Sequence, residues 1–372
     1  MNLSDFKVPT RIVNYNHIFM LADTHFGVRN NSVEWLSNQV SFFTDFYIPY
    51  LKDNKQDDDV LCICGDVFDS RQYLDITVLN HVIDIIIDLS EILPVHIMVG
   101  NHDIAKKTDT DINSLVAFRF IPNVYVYEKP VVITDNNSTI LLLPWVGDND
   151  AEENYAKANK VDYIFAHTDM INFNYDNGKE IKKGTDFTKI KGIKRVFSGH
   201  IHKRQEMNNK FIYIGSPYHT KRSDIGNHKG LYYFDPLKNE LQFTKNEYSP
   251  VFQRIKLEDI LEYKLKDSYK IFNNNYTDII VPDKYIHIFN LSKFISILAK
   301  CKYKKIETTG EKKKLDESLN ELSDAINIRD ILSLLEMSLG DLGHQMETLI
   351  KLKLLNKKYY ELASKNEDDI IN

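Results

Sequence analysis

Five short polar turns concentrate residue types able to hold a metal ion: Asp23 and His25 in ADTHFG, Asp66 and Asp69 in GDVFD, Asn101, His102 and Asp103 in GNHD, His167 in AHTD, and His200 and His202 in SGHIH. Carboxylate oxygens and neutral imidazoles suit borderline divalent ions such as Mn(II), Fe(II) and Zn(II), and the lack of thiolates in the set argues against a structural zinc site. Asp23 with His25, and His200 with His202, are separated by one residue. On an extended segment both members of such a pair face one side and reach one small volume. Two pairs with three single donors from the other turns are too many for one ion. They suffice for two ions that share a carboxylate, the arrangement that clamps the attacking and leaving oxygens of an in-line displacement. Asp69 and Asp103 share these turns and, where they are not ligands themselves, would orient the ligands by hydrogen bonding. His17, His81, His96, His219, His228, His287 and His344 lie outside the set and read as core-edge or surface residues.

The elements that position these turns are legible as short apolar, β-branched runs: HIFMLAD, VLCICGD, VHIMVGNHD, YIFAHTD and RVFSGHIH, followed by FIYIGSP. They are too short for helices and rich in Val, Ile, Phe and Tyr, so they read as buried strands. Helix-period segments such as residues 75–92 lie between the earlier runs, which indicates an α/β layer arrangement. In such sheets reactive groups collect at the carboxyl ends of strands. After residue 245 the pattern changes. Residues 246–305 mix short β-like and helical pieces and read as a small second domain, and the polar, basic stretch at 306–314 reads as a linker. Beyond it Leu315, Leu319, Leu322 and Ile326, and then Leu342, Met346 and Leu349, recur at helical spacing, with Gly340 and Gly343 between them. Residues 315–372 thus read as two amphipathic helices, folded onto their own domain or docked on another protein.

The chain has 372 residues, enough for two or three folding units, with 43% hydrophobic and 27% charged residues. No window approaches the roughly 18 to 20 apolar residues of a membrane span. The first residues show no secretory pattern, so a cytoplasmic location without membrane association is expected. Cys62, Cys64 and Cys301 cannot build a disulfide framework and read as reduced thiols. A net charge of −6 excludes coating nucleic acid by charge alone. Between Lys179 and Arg204, however, nine basic residues face two acidic ones, a positive stripe if they share a face.

Taken in order, Asp-x-His, Gly-Asp-x-x-Asp, Gly-Asn-His-Asp, His and Gly-His-x-His over residues 23–202 resemble the calcineurin-like metallophosphoesterases. The resemblance implies a double β-sandwich flanked by helices, here with a small α+β capping domain and a C-terminal helical hairpin. It implies two divalent ions, with Mn2+ expected: one held by Asp23, His25, Asp66 and His202, the other by Asp66, Asn101, His167 and His200. His102 is then the side chain that faces the phosphate and protonates the leaving oxygen, which suits an imidazole titrating near neutral pH.

The stretch FSGHIHKRQEMNNKFIYIGSPYHTKRSD, with GDVFD and GNHD, is similar to the SbcD-type DNA repair nucleases and, in GSPY and overall size, to the T-even phage recombination endonuclease subunits. This implies a Mn-dependent DNA exonuclease and endonuclease subunit with domains 1–245 (nuclease), 246–305 (capping, shaping a DNA groove) and 315–372 (binding an SMC-like coiled-coil ATPase). It also implies a homodimer paired through helices after GDVFD and GNHD. The sequence departs from the pattern at Asp69, where some relatives carry histidine, at Ala22 and Phe26, and before His167, where a Gly is common. A small-substrate nucleotide phosphodiesterase and a non-cutting metal-binding scaffold for the ATPase are the alternatives. A bias to Asn, Lys, Ile and Tyr suggests an AT-rich coding sequence and a phage or other viral source, acting in the host cytoplasm.

Overall fold

The computed structural model describes residues 2–106, 109–135, 137–256, 259, 272, 275–282 and 303–309. The chain divides into two units, Met1–Val251 and Phe252–Asn372. In chain order the strands of the first unit are β1 (Thr10–Ile12), β2 (Ile18–Leu21), β3 (Val60–Ile63), β4 (Val95–Met98), β5 (Ile104–Lys106), β6 (Asp109–Asn113), β7 (Val124–Tyr127) and β8 (Val131–Thr134). They continue as β9 (Thr139–Leu143), β10 (Tyr163–His167), β11 (Arg195–Gly199), β12 (Gln205–Met207), β13 (Phe211–Tyr213), β14 (Gly230–Asp235) and β15 (Glu240–Lys245). Every apolar run read as a strand from the sequence is one.

Two large sheets result. One has the order β1-β8-β9-β10-β11-β13-β12 and the other β15-β14-β2-β3-β4-β7. Their central strands are parallel, β9 to β11 and β13 in the first and β2 to β4 and β7 in the second. Strand alternation sorts the side chains between layers. Met20, Cys62 and Met98 point inward and meet Leu142, Phe165, Phe197 and Ile212 of the opposite sheet. Cys62 and Cys64 are free buried thiols in that layer.

Phe19, Leu61, Ile63 and Ile97 point outward, where two helices cover them. The first, α1, runs without a break through Val33–Ser41, a π-helical turn at Phe42–Tyr47, and Ile48–Asn54. The second, α2, spans Ile76–Ser90 and lays Val78, Val82, Ile85, Ile86 and Leu89 onto the sheet. The outer face of the seven-stranded sheet is covered by α3 (Asn149–Ala158) and by Phe173, Ile181, Phe187 and Ile190 of the long loop after β10. The result is the double β-sandwich with outer helices that the sequence led us to expect. Among the described residues, no helix is long and apolar enough to cross a membrane.

In the second unit β16 (Phe252–Lys256), β17 (Tyr276–Pro282) and β18 (Tyr303–Thr309) form a parallel three-stranded sheet with β17 in the middle. β18 extends into the stretch read as a linker from residue 306. The helical segment expected at 315–372, with His287 and His344, lies outside the described residues.

The start of α2 is set by Asp75, whose carboxylate accepts from Thr77 N–H at 2.8 Å and Val78 N–H at 3.2 Å. Asp75→Ala removes this cap and is expected to cost about 1 kcal/mol, read as a lower Tm of the first unit in calorimetry of the full chain.

Candidate metal centre

The five polar turns meet where the carboxyl ends of β2, β3, β4, β10 and β11 converge. His167 is the last residue of β10, and His200 directly follows β11. The turn after β2 is laced to the turn after β3 by three backbone bonds: Asp23 N–H to Gly65 O, His25 N–H to Asp66 O, and Phe26 N–H to Val67 O, at 2.8 to 3.1 Å. One expectation is corrected here. The paired donors do not face one side of an extended segment, because Asp23, His25, Asp66 and His200 all have left-handed backbones, with φ of 53°, 45°, 54° and 85°. Tight turning, not strand alternation, aims these side chains. A non-glycine residue is rarely held in that region unless its surroundings over-determine it.

Among the described residues three overlapping groups could each hold an ion: Asp23, His25 and His202; Asp66, His167 and His200; and His25, Asp69 and His102, the first two being made wholly of the donors the sequence singled out. Asp66 stands between these two. Its Oδ1 lies 3.3 Å from His167 Nε2 and its Oδ2 3.6 Å from His25 Nε2. Asn101 Oδ1 lies 3.0 Å from His167 Nε2 and 2.6 Å from His200 Nδ1, on the second group's side. All seven residues singled out as ligands are therefore brought together.

Each imidazole of these groups also has an oxygen behind it. His25 Nδ1 is 3.2 Å from Asp69 Oδ1, His200 Nε2 is 3.3 Å from Asp169 Oδ1, and His202 Nδ1 is 3.5 Å from Asp176 Oδ2. His167 Nδ1 lies 2.8 Å from Cys64 O. Such partners fix which ring nitrogen faces the centre. Asp169 is the last residue of AHTD, where only His167 reads as a donor, and Asp176 sits in the irregular loop after it, with no periodicity to mark it.

Asp103 acts on backbone rather than on ligand side chains. Its carboxylate accepts from the N–H groups of Asp66, Val67, Phe68 and Gly100 at 2.9 to 3.2 Å, tying GDVFD to GNHD. Gly100 is required for this closeness, since a Cβ there would overlap the Asp66 backbone N and Oδ1. His102 donates its N–H to Asp66 Oδ1 at 2.8 Å, and its Nδ1 lies 2.6 Å from Asp69 O. The ring stands edge-on to His25, centroids 4.8 Å apart.

GSPY, which carried part of the resemblance, has a physical role. The Tyr218 hydroxyl donates to Thr24 O at 2.6 Å, and Gln39 of α1 donates to Thr24 O and His25 O at 2.8 and 3.0 Å. Ser216 N–H donates to His202 O at 3.0 Å, and so does the buried Lys229 ammonium, itself paired with Asp224. Gln39 and Lys229 carry no sequence signal of this duty.

Charge in the centre is unbalanced. Burial opposes ionisation of Asp66, but His167 and His25 hold its carboxyl well below the usual range. Burial pushes Asp23 up to about 6. Burial opposes a proton on His167, yet Asp66 and Asp23 beside it raise its pKa to about 9. Asp23 Oδ2 and His25 Nε2 are buried without a hydrogen-bond partner. Unmet oxygen and nitrogen donors around two buried carboxylates fit divalent cations.

Residues 17–204, about half of the chain, match the calcineurin-like phosphoesterase family over a stretch that contains the whole centre. The chain belongs to this family. Members of this phosphoesterase family use divalent metals, and the donor groups here are consistent with that. The chain is 27% identical over 326 residues to Exonuclease subunit 1 of Enterobacteria phage T4, covering 86% of this chain and 91% of that protein. It is 27% identical over 212 residues to Putative phosphoesterase 078R of Invertebrate iridescent virus 3, covering 54% of this chain and 56% of that one. Putative phosphoesterase 244L of Invertebrate iridescent virus 6 is 26% identical over 212 residues, covering 54% and 69%.

Metal uptake by this phosphoesterase should release protons, because His167 must lose its proton and Asp23 must be ionised to act as donors. Calorimetry with Mn(II) in buffers of different ionisation enthalpy is expected to show at least one proton released near pH 7, because His25, where burial is outweighed by Asp69 and Asp66, is raised as well. Affinity should fall further below about pH 6, where Asp23 also becomes protonated in the metal-free protein.

Proposed function

We propose that the chain is a Mn2+-dependent DNA exonuclease and endonuclease subunit that hydrolyses phosphodiester bonds with two ions. The observation that carries this reading is Asp66 standing between two donor groups with His102 against it. One ion is assigned to Asp23, His25, Asp66 and His202, and the other to Asp66, Asn101, His167 and His200. When bound, the ions supply Lewis acidity toward the phosphate oxygens and acidify a water enough to ionise near neutral pH.

The chain's own residues supply the rest. Asp69 O retains the Nδ1 proton of His102, so the proton exchanged with the leaving oxygen is the one at Nε2. Burial lowers the pKa of His102, which makes its protonated form a stronger acid. Asp69, Asp169 and Asp176 orient the rings of His25, His200 and His202.

The choice of DNA over small substrates rests on the similarity to a phage exonuclease subunit along most of the chain. The word subunit in that name also supports a partner, assigned here to an SMC-like coiled-coil ATPase bound through 315–372, with action in the host cytoplasm. Exposed Lys179, Lys182, Lys183 and Lys191 suit a DNA backbone. A homodimer is supported by apolar side chains left uncovered in the two expected segments: Tyr73 and Ile76 beside α2, and Ile112, Val116 and Phe120 after GNHD.

Full-length protein stripped with EDTA and then given Mn(II) is expected to cut end-labelled single- or double-stranded DNA. His102→Ala should lower the rate by about 10² to 10⁴ while Mn(II) binding persists. Cleavage of a nucleotide phosphodiester with DNA left intact would overturn the substrate assignment.

A further inference from the structure

Away from the metal centre, at the amino ends of β3 and β4, a cleft of about 620 Å3 opens at the edge of the sandwich, where β1 of one sheet meets β4 and β7 of the other. Its volume falls in the usual range for small-ligand sites. The centre's Asn101 lies five residues further along the chain from His96, roughly 15 Å in strand terms, so the two sites occupy opposite ends of β4.

The cleft is lined by three near-parallel rings. His96 stacks on Tyr125 with centroids 5.0 Å apart and planes inclined by 18°, and on Tyr127 at 5.7 Å and 14°. Arg11 places its guanidinium 5.9 Å from the Tyr127 ring centroid. Tyr125 is 46% exposed and so offers ring surface to an incoming group. His96 is only 2% exposed, and burial pushes its pKa down to about 4, so the ring is neutral. Its Nδ1 lies 2.7 Å from the Tyr127 hydroxyl, while its Nε2 is buried with no partner. None of the polar turns uses this histidine, and a plain core histidine would have both nitrogens satisfied.

The rim carries both charges. Arg11 and Lys55 lie on it, as do Asp57 and Asp58, whereas Asp59 is already occupied by His17 and Gln56 N–H. This mixed rim attracts a single anionic group but repels a string of phosphates, which rules against a stretch of nucleic-acid backbone as occupant. Stacked aromatic surface with one exposed ring favours a planar ligand ring.

We infer that this cleft binds a mononucleotide, with its base stacked on the exposed ring of Tyr125 and with its phosphate toward Arg11 and Lys55. Such a ligand acts away from the metal centre, and its binding does not depend on DNA being the substrate.

The test is calorimetry on the full chain kept in EDTA, so that the metal centre recruits no phosphate, with each of the four common nucleoside 5′-monophosphates, adenosine and inorganic phosphate as titrants. At least one monophosphate should bind saturably, with adenosine and phosphate about tenfold weaker or worse. Tyr125→Ala and Arg11→Ala, both at exposed positions, should each weaken it by about tenfold with Tm unchanged. Absence of saturable binding by all four nucleotides at millimolar concentration overturns the inference. So does binding that Tyr125→Ala and Arg11→Ala leave untouched, or adenosine or phosphate binding as tightly as the nucleotide.

Discussion

The centre depends on keeping one buried carboxylate, Asp66, ionised between two imidazoles where no water can solvate it. Burial alone would neutralise it, and His167 and His25 prevent that. The fold meets this demand by turning the backbone left-handed at Asp66 and closing Asp103 over the following N–H groups. The same carboxylate receives the His102 N–H, so the position of the candidate acid is slaved to the position of the residue shared by the two donor groups. Metal placement and proton placement are thereby one geometric problem.

The strands and the site residues were legible in the sequence for the same reason. A run such as VLCIC buried on both faces must be apolar throughout, so the first polar residue after it marks the carboxyl end of a strand, where parallel strands present chemistry. What could not be read was which sheet each run would join. HIFML and YIFAH look alike, yet β2 and β10 belong to different sheets, and only packing of Met20, Cys62 and Phe165 in the shared layer decides it.

The supporting residues were legible only where they share a motif with a donor. Asp69 and Asp103 were found because they sit in GDVFD and GNHD. Asp169 was passed over although it closes AHTD, and Asp176, Gln39 and Lys229 lie outside the motifs, because an aspartate in a loop, a glutamine in a helix and a lysine before a strand have no spacing that separates support from ordinary surface. The stretch around residue 306 misled for a related reason: KYKKIETT is charged enough to read as a tether, but its alternation suits a strand, and it pairs with β17.

Tyr218 closes on Thr24 across 194 residues of chain. During synthesis the first donor turn therefore leaves the ribosome long before the side chain that braces it exists. Until then Gln39 is the brace already made, and the turn gains its second support only once the segment beyond β13 has emerged.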